Sequence, residues 1–151
     1  MPDVGIHLKG EIDLPSLLSR LRTNLNSDVG AIGCFVGVVR GVSKEGEAVK
    51  YLYYERGDDA AEKLEKIATD FEKRPNIKKV MIHHVVDQIA PGDDAIYVLV
   101  AGVRRSEVFK ALADIMDRVK TDVPIWKKEV TEKKGRWGHE LGSKKQRASN
   151  S

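Results

Sequence analysis

The chain has 151 residues, 41% of them hydrophobic, which is enough for one domain that needs neither disulfide nor structural metal to hold its core. Its single cysteine, Cys34, excludes an internal disulfide and fits a reducing compartment, so the expected location is the cytoplasm. No apolar run nears the roughly 18 residues of a membrane span, the N-terminus lacks the layout of a signal peptide, and a net charge of +3 selects no partner class.

After an opening strand, Asp13 stands as N-cap to Leu14, Leu17, Leu18, Leu21 and Leu25, whose spacing predicts a helix over 14–26. Residues 29–40 and 48–55 read as strands, and Gly41 to Gly46 predicts a hairpin that joins them. Gly30, Gly33 and Gly37 fit no phosphate-loop spacing; inside a strand they mark a bulge or a close approach, expected here from another chain. In that apolar strand Cys34 reads as a small buried hydrophobe, not a nucleophile. A second helix over 58–72 buries Ala60, Leu64, Ile67 and Phe71, and Pro75 closes it. A strand over 77–86, a turn at Pro91-Gly92-Asp93 and a nearly continuous apolar strand over 95–103 follow. The last of these must be covered on both faces and sit centrally. A third helix over 106–120, capped by Ser106, places Val108, Leu112, Ile115 and Val119 in one stripe, and strands over 125–130 and 136–139 flank a turn at Lys134-Gly135. This order predicts one α+β domain over 1–142 with a mostly antiparallel sheet, and a basic, flexible tail over 143–151.

The chemistry concentrates after the third helix. Lys120 lies one turn beyond Met116, on the apolar side, and Val123-Pro124 forms a corner that brings Lys127 near it. A lysine held against apolar surface loses hydration, and its pKa falls from about 10.4 toward the range useful for proton transfer. The competing reading is structural: cations favour helix C-termini, and long stems snorkel to water. Arg40 ends the first long strand, and Arg104 and Arg105 end the central one beside a helix N-terminus, a natural anion site. His83 and His84 are strand neighbours that point to opposite faces, so they cannot chelate one ion together, although one of them can line a pocket. With no His or Cys cluster elsewhere, no metal site is expected. Residues 127–147 hold eight basic and three acidic side chains, a segment that attracts anions such as a phosphorylated small molecule, a carboxylate terminus, an acidic protein or nucleic acid. An aromatic content of 6% and the lack of a base-stacking motif leave RNA the least supported of these.

Gly30-Ala31, Phe35-Val36-Gly37-Val38-Val39-Arg40, Tyr54-Glu55, Ile82-His83, Pro91-Gly92-Asp93 and Arg104 with Phe109 follow a recognisable pattern. Together with Met116-Asp117-Arg118-Val119-Lys120, Pro124-Ile125-Trp126-Lys127-Lys128-Glu129 and Trp137, they resemble the large, catalytic subunit of molybdopterin synthase. The resemblance implies an α/β hammerhead fold and a homodimer, which a small ubiquitin-like sulfur carrier completes as a heterotetramer. It implies that sulfur passes twice from the thiocarboxylate at the carrier's Gly-Gly tail to cyclic pyranopterin monophosphate, giving the molybdopterin dithiolene. By position, Lys120 and Lys127 match the family's essential lysines, and Arg40 and Arg104 its pocket arginines. Lys120 is then expected to move a proton beside the tail and Lys127 to orient substrate. Arg40, Arg104, Arg105, His83 and Lys128 are expected to bind the anions. The scheme needs no metal, nucleotide or redox cofactor, and neither nucleic acid nor membrane. Val103 stands where the family carries His, His84 where it carries Arg, and Gly57 and Ala60 where it carries Tyr and Met. These departures support one alternative, a diverged non-catalytic dimer that docks a sulfur carrier.

Overall fold

The computed structural model describes residues 2–131 and the backbone of residues 135–139. The expected tail over 143–151, the turn residue Lys134 and the basic side chains beyond Lys128 lie outside the described residues. Ten elements follow in chain order: β1 (Asp3–Leu8), α1 (Leu14–Arg22), β2 (Ala31–Val38), β3 (Val49–Arg56), α2 (Ala60–Glu72), β4 (Ile77–Ile89), β5 (Asp94–Gly102), α3 (Arg105–Asp122), β6 (Ile125–Thr131) and β7 (Gly135–His139).

Among the described residues the strands form one sheet in the order β2-β5-β4-β3-β6-β7, with β1 pairing in parallel to β4 and every other pairing antiparallel. The mixed α+β class and mostly antiparallel sheet are as expected. Strand β4 makes the architecture possible. Its residues 77–84 pair with β5, residues 81–86 take β1, and residues 87–89 pass to β3 after Asp87, whose φ of +77° turns the chain. One long strand therefore serves two halves of the sheet. Apart from Asp94, β5 is buried along its length, as its unbroken apolar run requires.

The expected β2–β3 hairpin is corrected. The arm between these strands carries the isolated bridge Val42↔Ala48, but β2 itself pairs with β5, and β3 with β4 and β6. The turn forms where predicted, but β5 needs an apolar neighbour on each edge, and β2 supplies one. Gly33 explains how β2 accepts a helix: a Cβ there would sit 2.7 Å from Val108 Cγ1 and 2.8 Å from Leu112 Cδ1. The approaching group is thus α3 of the same chain, not a second chain.

Helix boundaries differ by about a turn. Asp13 caps α1 as expected, its Oδ1 accepting the Ser16 N–H at 2.8 Å, but the helix stops at Arg22, and Asn24 adopts φ +58°. Helix α3 opens on Arg104 as N-cap, two residues before the expected Ser106, with no side-chain cap. Cys34 is exposed and not buried, because β2 is an edge strand and Cys34 faces away from α3. Neighbouring atoms still desolvate its thiol and push its pKa up, so it is a poor nucleophile.

Candidate active site

Five elements bring ionisable side chains to one cavity of about 630 Å³. Strand β2 runs out at Val38, and Arg40 follows at the cavity wall. That position is pinned by the β4–β5 turn: the Val39 N–H donates to Asp93 O, and the Gly92 N–H donates to Val39 O, both at 2.9 Å. Asp93 is in turn fixed by Lys9 at 2.7 Å, whose hydrogen bond holds its carboxyl below the usual carboxylate range, and by the Ala90 N–H at 2.8 Å. The arm over residues 41–48 adds Val42, Lys44 and Glu45.

Helix α3 runs antiparallel to the route of β5, so its C-terminal turn returns to the Arg40 end and delivers Met116 and Lys120. The chain then bends. The Val123 N–H closes the helix on Val119 O, and Pro124 O accepts the Gly57 N–H at 2.8 Å, which aims β6 back along β3. In that pairing Tyr54 lies opposite Lys127 and Leu52 opposite Glu129, and all four side chains line the cavity. The predicted convergence of Lys120 and Lys127 across a proline corner is therefore present.

Lys120 is exposed and Lys127 half-buried, so the isolated chain leaves Lys120 in water and not sunk in apolar surface as the sequence suggested. Arg40, Lys44, Lys120 and Lys127 make no hydrogen bond or ion pair among the described residues, and Glu45 and Glu129 are the acidic side chains that share their cavity. Cations gathered without matching counter-charges form a site for an anion. Among the described residues no cluster of three or more His, Cys, Asp or Glu side chains is arranged to hold a metal ion.

Four expected anion-binding residues lie elsewhere. Lys128 pairs with Tyr53, and strand alternation sends it to the opposite face from Lys127. Arg104 and Arg105 stand at the far end of α3, about 22 Å from Lys120 along a helix rising 1.5 Å per residue. Arg104 instead meets Glu107 at 3.5 Å. His83 is sealed beneath β1, where the parallel register sets Gly5 against it. Its Nε2–H donates to Asp3 Oδ1 at 2.9 Å, and its Nδ1 accepts from His7 Nε2 at 2.8 Å. Both histidines are held below their ordinary pKa by burial, against the upward pull of Asp3 on His83 and of Glu11 on His7. Lys44, Tyr54, Glu45 and Glu129 are cavity residues to which sequence reasoning assigned no role; for Glu129 the available signal was its two-residue spacing from Lys127 on a predicted strand.

A sequence profile of the MoaE protein family matches residues 9–122. The chain is 34% identical to the probable molybdopterin synthase of Haloferax volcanii over 85% of its own length, and it spans about half (51%) of that relative. It is 37% identical to the molybdopterin synthase catalytic subunit of Pyrococcus abyssi, over 74% of this chain and 76% of the other. The crystal structure of molybdopterin synthase from Staphylococcus aureus superposes with a TM-score of 0.77 at 29% identity, covering 87% of this chain and 93% of that one. The chain belongs to the MoaE family of molybdopterin synthase catalytic subunits.

Proposed function

We propose that the chain is the catalytic subunit of a molybdopterin synthase. In this reading it moves sulfur from the C-terminal thiocarboxylate of a small ubiquitin-like carrier to cyclic pyranopterin monophosphate, in molybdenum cofactor biosynthesis. The observation that carries the reading is the cavity itself: Arg40, Lys120 and Lys127, each at the position of a family pocket residue, converge on one concavity with an excess of positive charge.

Both reactants are anions, and a cationic cavity holds them together against their repulsion. The carrier tail enters, its sulfur bonds to a pterin side-chain carbon as that carbon's bond to oxygen breaks and the departing oxygen takes a proton, and the bond from sulfur to the acyl carbon is then hydrolysed. Water takes sulfur's place on that acyl carbon, so the carrier leaves as a carboxylate, and two such rounds complete the dithiolene. Lys120, at the end of α3, donates and accepts the proton beside the tail. Lys127 orients substrate and offsets the charge that develops as sulfur leaves. Tail and substrate together displace water from Lys120, supplying the desolvation that the isolated chain lacks.

Arg104 and Arg105 serve the site from a second copy in this account. Support comes from the surface: the edge strand β2 exposes Phe35 and Val38, and α3 exposes 67% of Phe109 beside Arg105, apolar area that a homodimer would cover. Cytoplasmic residence follows from the reaction's carrier and fits the free thiol.

A single-turnover assay with thiocarboxylated carrier and pterin tests the reading. Lys120→Ala is expected to abolish dithiolene formation while circular dichroism and carrier binding stay unchanged. A chain that forms the carrier complex but releases no sulfurated pterin is a docking dimer, and the enzymatic reading is then wrong.

A further inference from the structure

The pterin carbon that takes up sulfur gives up an oxygen, and that oxygen needs a proton. Lys120 works beside the carrier tail and Lys127 offsets charge, so neither is committed to this task. Among the described residues that line the cavity, Tyr54 carries the only hydroxyl. An ionised carboxylate only accepts hydrogen bonds, whereas a phenol donates one at neutral pH.

The fold fixes where that hydroxyl is carried. Strand β3 lies between β4 and β6, and Tyr54 pairs with Asp87 on one side and Lys127 on the other. Lys127 therefore stands directly across from Tyr54 on the cavity face, with the two Cβ atoms roughly 5 Å apart. Behind Tyr54, the ring of His84 meets it edge-on, with centroids 5.1 Å apart and planes at 74°. His84 is itself held: it is fully buried, and its Nδ1–H donates to Val85 O at 2.8 Å. Tyr54 is 4% exposed, so its ring is packed and cannot swing out of the cavity wall. A donor set in place by the fold costs no reorganisation when substrate arrives.

We propose that Tyr54 is a catalytic residue that protonates the oxygen leaving the pterin carbon. The assignment rests on the sulfur-transfer reading of the cavity. As sulfur bonds to carbon, the carbon–oxygen bonding pair goes to oxygen, which takes the Tyr54 proton. The phenolate left behind faces Lys127, whose positive charge offsets it. Water then adds to the acyl carbon and the carbon–sulfur pair goes to sulfur, which gives a carboxylate, a thiolate and two protons. One proton restores the Tyr54 phenol, and the other leaves through Lys120.

The test is made on the full chain in complex with thiocarboxylated carrier, for wild type, Tyr54→Phe and Tyr53→Phe. Single-turnover rates and pterin binding are measured, and mass spectrometry follows any covalent adduct of carrier and pterin. Tyr54→Phe keeps the ring against His84 and removes one oxygen. It should slow sulfur transfer about 10- to 100-fold, at the low end for loss of a general acid because water stands in for the hydroxyl. Affinity for pterin should change less than about five-fold, and no adduct should accumulate. Tyr53→Phe, on the opposite face across from Lys128, should match wild type. A wild-type rate in Tyr54→Phe overturns the proposal. So does an adduct that accumulates, which moves Tyr54 to the hydrolysis, and so does an equal loss in Tyr53→Phe, which makes the effect one of sheet packing. If the wild-type complex itself yields no sulfurated pterin, the sulfur-transfer reading falls and the role of Tyr54 falls with it.

Discussion

The cavity under the β2–β3 arm and the polar cluster beneath β1 both gather ionisable side chains, and they treat charge in opposite ways. Beneath β1, Arg20, Asp3, His83 and His7 form a closed chain: Arg20 donates twice to Asp3 at 2.6 and 3.0 Å, Asp3 accepts from His83, and His83 accepts from His7. Gly5 leaves room for it, since a Cβ there would stand 2.8 Å from His7 Nε2 and 3.2 Å from His83 Nδ1. In the cavity, four cations converge with no ion pair among the described residues. A satisfied cluster stabilises a fold, whereas an unsatisfied one waits for a guest. The difference separates His83 from Arg40 even though the sequence placed both among the anion-binding residues.

The largest expected effect belongs to the open cluster. Lys127→Ala should slow single-turnover sulfur transfer by about 100-fold or more, as for loss of a group that acts on the reacting atoms, with the melting temperature unchanged. The closed cluster should behave in reverse. Chemical denaturation of His83→Ala should show a loss of about 1–3 kcal/mol, because Asp3 and His7 each lose a partner, while the rate of the folded protein is retained. A slow but fully stable His83→Ala would place His83 in the chemistry and break the contrast.

Acid sharpens it further. His7 and His83 titrate below their ordinary value of 6.5 in the folded chain, so between those folded values and 6.5 the unfolded chain binds more protons. Their contribution is full above pH 6.5 and is lost as pH falls through the folded values. Burial pushes Asp3 up, but the Arg20 guanidinium more than offsets this and holds it below 3.8, so its contribution fades last, as pH drops through that lowered value. Denaturant midpoints measured from pH 7.5 to 5 should therefore decline in wild type and decline less in His83→Phe. The smallest effect is expected at Lys128→Ala, on the face away from the cavity: a change in sulfur transfer of under about two-fold.

How much of this was legible depended on how far each signal reached along the chain. Lys120 and Lys127 were readable together because helix phase and a proline corner are local, and the six residues between them carry the whole geometry. The Asp13 cap and the Gly46 turn were readable for the same reason. Pairing partners were not. Turn chemistry at 41–46 suggested that β2 and β3 join, but the choice was made by β5, which needed cover on both edges. His83 was misplaced because its partners, His7 and Asp3, lie 76 and 80 residues away in sequence. Arg104 lies two residues past the end of β5, as the cap of α3 and not the last residue of the strand, and nothing local says which end of the sheet that is. Lys44 looks in sequence like any solvated lysine of a hairpin, and only the fold sets it beside the cavity.

A crystal structure of the carrier complex with cyclic pyranopterin monophosphate bound tests the central claim most directly. The pterin should lie in the cavity bounded by Arg40, Lys120 and Lys127, with the carrier's tail reaching the two lysines. A pterin seated anywhere else on the complex, with those ammonium groups turned to bulk solvent, would contradict the account.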